Sequence, residues 1–356
     1  MRETETLIIG GGLSGLALAQ GLRDHGHDFV LLEARDRFGG RIVSQQHGGA
    51  DFDLGPAWIW PGQPRIAALA ERMGLACFAQ YSQGAQVFEE AQGRVVQGHG
   101  PHAMADALRI IGGLSALTDG LARALPEACR QTGSAVTALS LTDAGVTATL
   151  VAKAPIGAQI RARRAVLALP PRLAAQMDFD PPLPPAAQAA LAAVPTWMAG
   201  QAKALAVYDT PFWRAAGLSG SAQSRRGPMV EIHDASPGAG GPYALFGFIG
   251  VAPQHRQDKG ALRAQILAQL ARLFGPRAAD PAELFLRDWA AEPYTATAAD
   301  SLPLRAHPAY GMPRSLAGLW DNRLFFAGTE VAPQWGGYVE GALEAAEAVL
   351  AAISDS

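Results

Sequence analysis

The chain has little of what several common ways of working require. Cysteine occurs twice in 356 residues, and Cys77 and Cys129 stand far apart, with neither C-x-x-C nor metal-ligand spacing. A disulfide framework and a cysteine-based metal site are thereby excluded, and both residues are expected as reduced thiols. No metal site is expected from any other pattern. Charge is sparse and almost balanced, 29 Lys+Arg against 32 Asp+Glu, for a net charge of -3. A nucleic-acid or polyanion binder would show a basic excess. No uninterrupted apolar run approaches the ~18 residues of a membrane span. The opening MRETETLIIGGG enters a strand within six residues and has no basic stretch leading into an apolar one. No secretory leader is therefore expected, and the cytoplasm is the expected compartment. Internal repeats and low-complexity tails are absent. What remains is a chain 49% hydrophobic, enough for one large core or two joined domains.

Glycine is plentiful, and its placement is informative. Thr6–Ile9 is a short apolar, β-prone run, followed by Gly10, Gly12 and Gly15 in G-x-G-x-x-G spacing and then by a helical pattern from Leu13 to Leu22. A second strand, Phe29–Leu32, ends in Glu33. Glycines let the backbone turn sharply and approach a pyrophosphate seated on the helix N-terminus, and an acid ~20 residues on accepts ribose hydroxyls. With 40 glycines in the chain, the spacing alone is weak, and a glycine-rich turn beside an incidental Glu33 is the plain alternative. The flanking strand, helix and acid favour dinucleotide binding. Gly39 and Gly40 follow the acid closely. A nicotinamide site has no use for them, whereas a flavin dinucleotide has a longer chain for backbone to wrap. Asp51–Trp60 adds a second loop of small residues and bulky rings.

The chain closes on LFFAGTEVAPQWGGYVEGALEAAEAVLAAI, residues 324–353. An apolar strand, a Gly-Thr-Glu turn, a Trp-Gly-Gly-Tyr loop and an alanine-rich helix hold more glycine than a chain reversal needs. Taken with Glu33-to-Arg41 (ExxxxxGGR), Asp53-to-Trp58 (DLGxxW), Gly112-Gly113, Ala165–Pro171, Asp180–Pro184 and Lys203 with Pro211–Arg214, this ending resembles the flavin-containing monoamine oxidase and polyamine oxidase family. The motifs occur in family order from end to end.

That resemblance implies an α/β fold: a Rossmann-like FAD-binding domain from 1–80, 112–177 and 286–356, and a discontinuous α+β substrate domain on a mixed sheet from 81–111 and 178–285. It implies FAD contacts at Gly10, Gly12, Leu13, Ser14, Gly15, Glu33, Ala34, Arg35, Gly39, Gly40 and Arg41. Further contacts are implied at Gly55, Pro56, Ala57, Trp58, Val136 and Trp289, and at Gly328, Thr329, Glu330, Gly337, Tyr338, Val339 and Ala342. The last strand, Phe325–Ala327, is expected beside the N-terminal glycine loop.

The implied reaction removes a hydride equivalent from carbon next to nitrogen in an amine or amino acid, with O2 as the expected final acceptor. Lys203 is the foremost catalytic candidate, because a buried ammonium in an apolar strand is costly; in the family this lysine holds a water near the flavin and aids oxygen reduction. A lysine facing solvent at a strand edge is the alternative. Tyr338 matches one wall of the family's aromatic cage. The other wall falls at Ala299, and Ala298 stands where some members carry the cysteine bonded to flavin, so a non-covalent FAD is expected and the cage is incomplete. Trp58, Trp60 and Trp335 are candidate substrate surfaces. Glu231 and His233 are candidate polar contacts, Glu231 for a cationic or polyamine-like substrate.

Between Phe88 and Gly112 the family's long helical insertion is missing. The cavity is expected to be more open, or covered by a second subunit of a homodimer. Desaturation of an isoprenoid or porphyrinogen carbon on the same scaffold, and flavin binding without catalysis, stay open as alternatives.

Overall fold

The computed structural model describes residues 1–151, 154, 156–301, 304 and 306–354. Two sheets organise the chain. In the first, Arg2–Ile9 runs parallel between Phe29–Leu32 and Gln159–Leu167, and Arg130–Gln131 extends the parallel set beyond Phe29–Leu32. Gln159–Leu167 has two successive neighbours on its other side. Its first half pairs antiparallel with Gly145–Leu150, and its last three residues pair parallel with Leu324–Phe326. Ala165–Leu167 therefore stands between the last strand and the N-terminal one. The glycine loop still reaches the final turn, because the Ser14 hydroxyl donates to the Ala327 carbonyl.

Alternation sets what each face meets. Ile8, Leu31 and Val166 pack with Leu16, Leu117 and Leu343 from the helices Leu13–Asp24, Ser115–Ala124 and Val339–Ser354. Leu7, Val30 and Ala165 point the other way, toward Leu139 and Val146 of a β-hairpin and Leu191 of the helix Pro185–Ala193. Burial on both faces suits a parallel sheet wrapped by crossover segments.

The second sheet has seven strands in the order 283–288, 202–208, 243–249, 229–234, 218–224, 85–89, 95–98. Neighbours are antiparallel except Leu218–Ser224 with Ala85–Glu89, which are parallel, so the sheet is mixed. Its outer face carries the helix Lys259–Phe274, through Leu262, Ile266 and Leu270 packed on Ala204 and Ile232. Its inner face, with Leu205, Val207 and Phe246, packs on Phe52, Leu54 and Trp58. The chain passes between the sheets four times, and the last two passages come after the expected positions 178 and 286. Asp178–Asp180 still pairs in the first sheet and Pro185–Ala193 packs on it, while Glu283–Asp288 closes the second sheet. Residues 99–107 contain no helix, and no helix among the described residues is long and apolar enough to cross a membrane.

Candidate active site

One cavity of about 880 Å3 lies between the two sheets. At one end it is lined by Glu33, Ala34, Arg35, Ser134 and Val136. Its middle is bounded by Gly10, Gly12, Leu13, Ser14, Gly39, Gly40 and Arg41. Its far end reaches Gly55, Pro56, Ala57, Trp58, Trp60, Lys203, Glu231 and Tyr338, with Trp289, Gly328, Thr329, Gly337, Val339 and Ala342 along one side.

The middle of this cavity fits a pyrophosphate. The helix Leu13–Asp24 begins at Gly12 with no side-chain cap and no acid in its first turn, so the N–H groups there are free for an anion. Gly10 has φ +113°, and a Cβ on it would lie 2.4 Å from the Ala168 carbonyl oxygen. A Cβ on Gly15 would lie 1.9 Å from the Gly10 oxygen. Gly15 is therefore absent from the lining; it seats the helix against the strand end.

Glu33 is 3% exposed and ties this loop to the second strand. Its Oε2 accepts from Gly11 N at 2.8 Å and its Oε1 from Arg35 N at 2.9 Å. Arg35 continues the link, donating to Thr295 Oγ1 at 2.9 Å and to Glu292 Oε2 at 3.3 Å.

The C-terminal loop is held from below. Glu330 is fully buried, lies outside the lining, and pairs in fork geometry with Arg41 at 2.6 and 3.3 Å. The adjacent carboxylate holds the Arg41 pKa above its usual value against the effect of burial. Removing one partner of such a pair strands the other charge out of water. Arg41→Met is expected to lower unfolding free energy by about 3–5 kcal/mol, read as a fall in the denaturant midpoint. Thr329 Oγ1 donates to the Tyr338 carbonyl at 2.7 Å, and Glu344 accepts from Trp335 N at 3.0 Å.

Around Tyr338 the rings are arranged differently from the two-walled cage. Tyr338 stacks on His307 at 4.9 Å and 20°, and His307 meets Trp197 edge-on at 4.8 Å. Trp335 contacts the Tyr338 ring at 6.0 Å but does not line the cavity. Ala299 does not line it either. It sits in the turn Ala298–Asp300, capped by Thr297 and anchored by Asp300 on Arg172 at 2.5 Å, and this directs it elsewhere. Bulk in that region comes from Trp197, which meets His307 and lies on the lining.

Lys203 is 5% exposed, on the inner face of the second sheet. Its Nζ donates to the Gly55 carbonyl and lies 4.8 and 5.1 Å from the ring centres of Phe248 and Phe246. Burial lowers its pKa to about 8; the Asp53 carboxylate opposes that fall and the Arg109 guanidinium adds to it. Asp53 is itself pushed up by burial, although Ser44 Oγ and Leu114 N donate to its Oδ1 at 2.7 and 2.9 Å.

Glu231 lines the cavity, and His233 lies behind it with Nε2 2.7 Å from Glu231 Oε1. Met104, Gln176, Trp197, Gln201 and Phe248 also line the cavity. None carries a motif, and only Phe248, opposite Lys203 in the strand register, had a signal in the sequence: its place in an alternating strand. Among the described residues no group of His, Cys, Asp and Glu is arranged to hold a metal ion.

Comparison with known proteins agrees with this geometry. The family model described as flavin containing amine oxidoreductase matches residues 13–102 and 94–353, nearly the whole chain in two stretches that meet where the helix-free interval lies. A Mycobacterium tuberculosis protein named as a flavin-containing monoamine oxidase, AofH, is 26% identical over 451 aligned positions, covering 98% of this chain and 96% of its own. An L-amino acid dehydrogenase of Synechocystis is 24% identical, covering 98% of this chain and 94% of its own. The structure of cyclohexylamine oxidase from Brevibacterium oxydans superposes with a TM-score of 0.81 at 21% identity, over 99% of both chains. An alignment of 451 positions against 356 residues means that the first relative carries long stretches absent here. With the glycine cradle, the cavity and a family match from residue 13 to residue 353 in hand, the chain belongs to the flavin-containing amine oxidoreductase family.

Proposed function

We propose that this chain binds FAD without a covalent bond and uses it to oxidise an amine or amino acid at the C–N bond, with O2 as the final acceptor. The observation that carries the reading is continuity. A single cavity joins the glycine loops from both ends of the chain to a buried lysine on the second sheet. The bound flavin supplies the hydride acceptor, and the protein supplies position and charge.

Glu33, at the end of the cavity away from Lys203, suits a ribose, and the uncapped turn at Gly12 suits the pyrophosphate. Lys203 brings a cation into a site of low polarity, where it favours negative charge developing on reduced oxygen. The Tyr338 ring, held by its stack on His307, offers an apolar face against which an uncharged amine is oriented. Neither cysteine lines the cavity, and Ala298 offers no nucleophile, which favours unlinked FAD. Val230 and Tyr338 are 44% and 36% exposed on the cavity lining. A second copy of the chain covering this mouth would limit the entry of water.

The test is anaerobic mixing of the FAD-loaded protein with a panel of primary amines and amino acids. Bleaching of the oxidised-flavin band by one class, and its return on admitting air, is the expected result. No bleaching by any amine or amino acid would overturn the reading.

A further inference from the structure

Behind one wall of the main cavity lies a second, smaller one of about 70 Å3. The wall is the strap 195–201, which leads into the strand Ala202–Tyr208. Trp197, Met198 and Gln201 line both cavities, so one short segment divides them. The strap is pinned along its length. The Tyr310 hydroxyl donates to the Pro195 carbonyl at 2.8 Å, Thr196 N donates to Asp300 Oδ1 at 3.3 Å, and Arg256 Nη2 donates to the Gly200 carbonyl at 2.8 Å. A Cβ on Gly200 would lie 2.4 Å from the Asp300 carbonyl oxygen, so the strap lies directly on the turn Ala298–Asp300. Between these pins Met198 is held at φ +59°, a left-handed conformation that residues other than glycine keep only where their surroundings impose it. The partition is therefore fixed, and the space behind it is a built pocket.

The polar groups of this pocket do not satisfy one another. Thr196 is 2% exposed and lines it, and its Oγ1 has no hydrogen-bond partner among the described residues. Asp300, on the same lining, already has both oxygens engaged. Its Oδ1 accepts from Arg172 Nη1 at 2.5 Å as well as from Thr196 N, and its Oδ2 accepts from Thr297 N and Oγ1, both at 2.8 Å. The Gln201 side-chain amide pairs with no described residue. Arg172 donates to Asp300 and, through Nε, to the Ala192 carbonyl at 3.2 Å; a guanidinium has five N–H groups. A buried hydroxyl left unpaired is costly, whereas a buried water with two to four polar partners is a stable part of a fold. The pocket is large enough for a few such waters.

Gln201 connects this pocket to the main cavity. Trp289 N donates to the Gln201 carbonyl at 3.0 Å, which carries the strand ladder one residue back from Ala202. Gln201 and Lys203, two apart on that ladder, share a face, and both line the main cavity. We propose that the side pocket is a water-binding site, its waters held by Thr196 Oγ1, Gln201 and Arg172, and that through Gln201 it hydrates the main cavity at the Lys203 end from behind the partition. This supply is separate from the mouth at Val230 and Tyr338. It holds whichever substrate the main cavity takes.

The experiment uses FAD-loaded protein and begins with Thr196→Val, which keeps the shape of the side chain and removes only the hydroxyl. The sign of its effect discriminates. A hydroxyl bonded to water is lost with a fall in melting temperature of about 1–4 °C, whereas removing an unpaired hydroxyl from a dry pocket raises it. Gln201→Leu should also lower the melting temperature. The double variant should lose less than the sum of the two single losses, because both side chains hold the same water. A wild-type crystal structure that shows ordered solvent should place water within hydrogen-bond distance of both Thr196 Oγ1 and the Gln201 amide, with further water on the main-cavity side of that amide. A melting temperature raised by Thr196→Val, strictly additive losses, or density without water at either side of Gln201 would overturn the proposal.

Discussion

Lys203→Met is expected to slow reoxidation of the amine-reduced enzyme by O2 about a hundredfold or more, the scale on which removing one preorganised donor or charge from a transition state acts. Amine-driven bleaching in the absence of oxygen should change far less. The contrast separates a role with oxygen from a general role in folding or flavin binding, and stopped-flow measurement of the two half-reactions reads it directly. Burial lowers the Lys203 pKa to about 8, so the ammonium is present at neutral pH and lost above that value. Wild-type reoxidation should therefore fall as pH rises through about 8, and the methionine variant should show no such fall.

Stability gives an independent check with a definite sign. The unfolded chain keeps a lysine proton to about pH 10.4, whereas the folded chain releases it near 8. Between those values the unfolded state binds more protons, so wild-type stability rises with pH across that window. Lys203→Met should lack the rise and melt at a higher temperature than the wild type at neutral pH, because no ammonium is then buried. A variant less stable than the wild type at neutral pH, with both half-reactions slowed alike, would contradict the assignment.

The second large effect is expected at the glycine loop. Gly10→Ala places a methyl 2.4 Å from the Ala168 oxygen on a backbone held at φ +113°. Both features oppose an L side chain, and the obstacle is backbone, which cannot rotate aside. The purified variant is expected to lose most of its flavin absorbance and to regain little of it on incubation with excess FAD. Gly26→Ala is the control. That glycine also has positive φ, at +74°, but a Cβ there would meet nothing within 4 Å. It should bear the backbone strain alone, keep its flavin and lose only modest stability. Loss of flavin from both variants to the same degree would mean that general destabilisation, not the cradle, is being measured.

Much of the cavity's glycine-rich middle was legible in the sequence because its requirements are local. Gly10, Gly12 and Gly15 are spaced by the geometry of one strand-to-helix turn, Glu33 closes the next strand, and Gly39–Arg41 follows within a few residues. Contacts at this range write themselves as short motifs. The same holds for Gly328–Thr329 and for the start of the last helix, where the turn and its cavity-lining residues are one segment. The interval before Gly112 is short and holds no helix over residues 99–107, and the two stretches of the family match overlap there.

The substrate end was less legible. The family resemblance puts the second cage wall at Ala299, but the conformation of that stretch is set by Asp300 reaching Arg172, 128 residues away in the chain. The stack of Trp197, His307 and Tyr338 joins three distant segments, and only that of Tyr338 carries a motif.

The sequence by itself determined the dinucleotide-binding half and the identity of the buried lysine, because backbone turns and apolar periodicity act over a few residues. Tertiary structure alone decided which polar groups share the cavity with that lysine. Side chains alternate between the faces of a strand, so a one-residue shift in pairing turns a residue from one face to the other. The bulge at Val230–Glu231 is such a shift, set by the partner strand Tyr243–Ile249 and not by the strand's own residues.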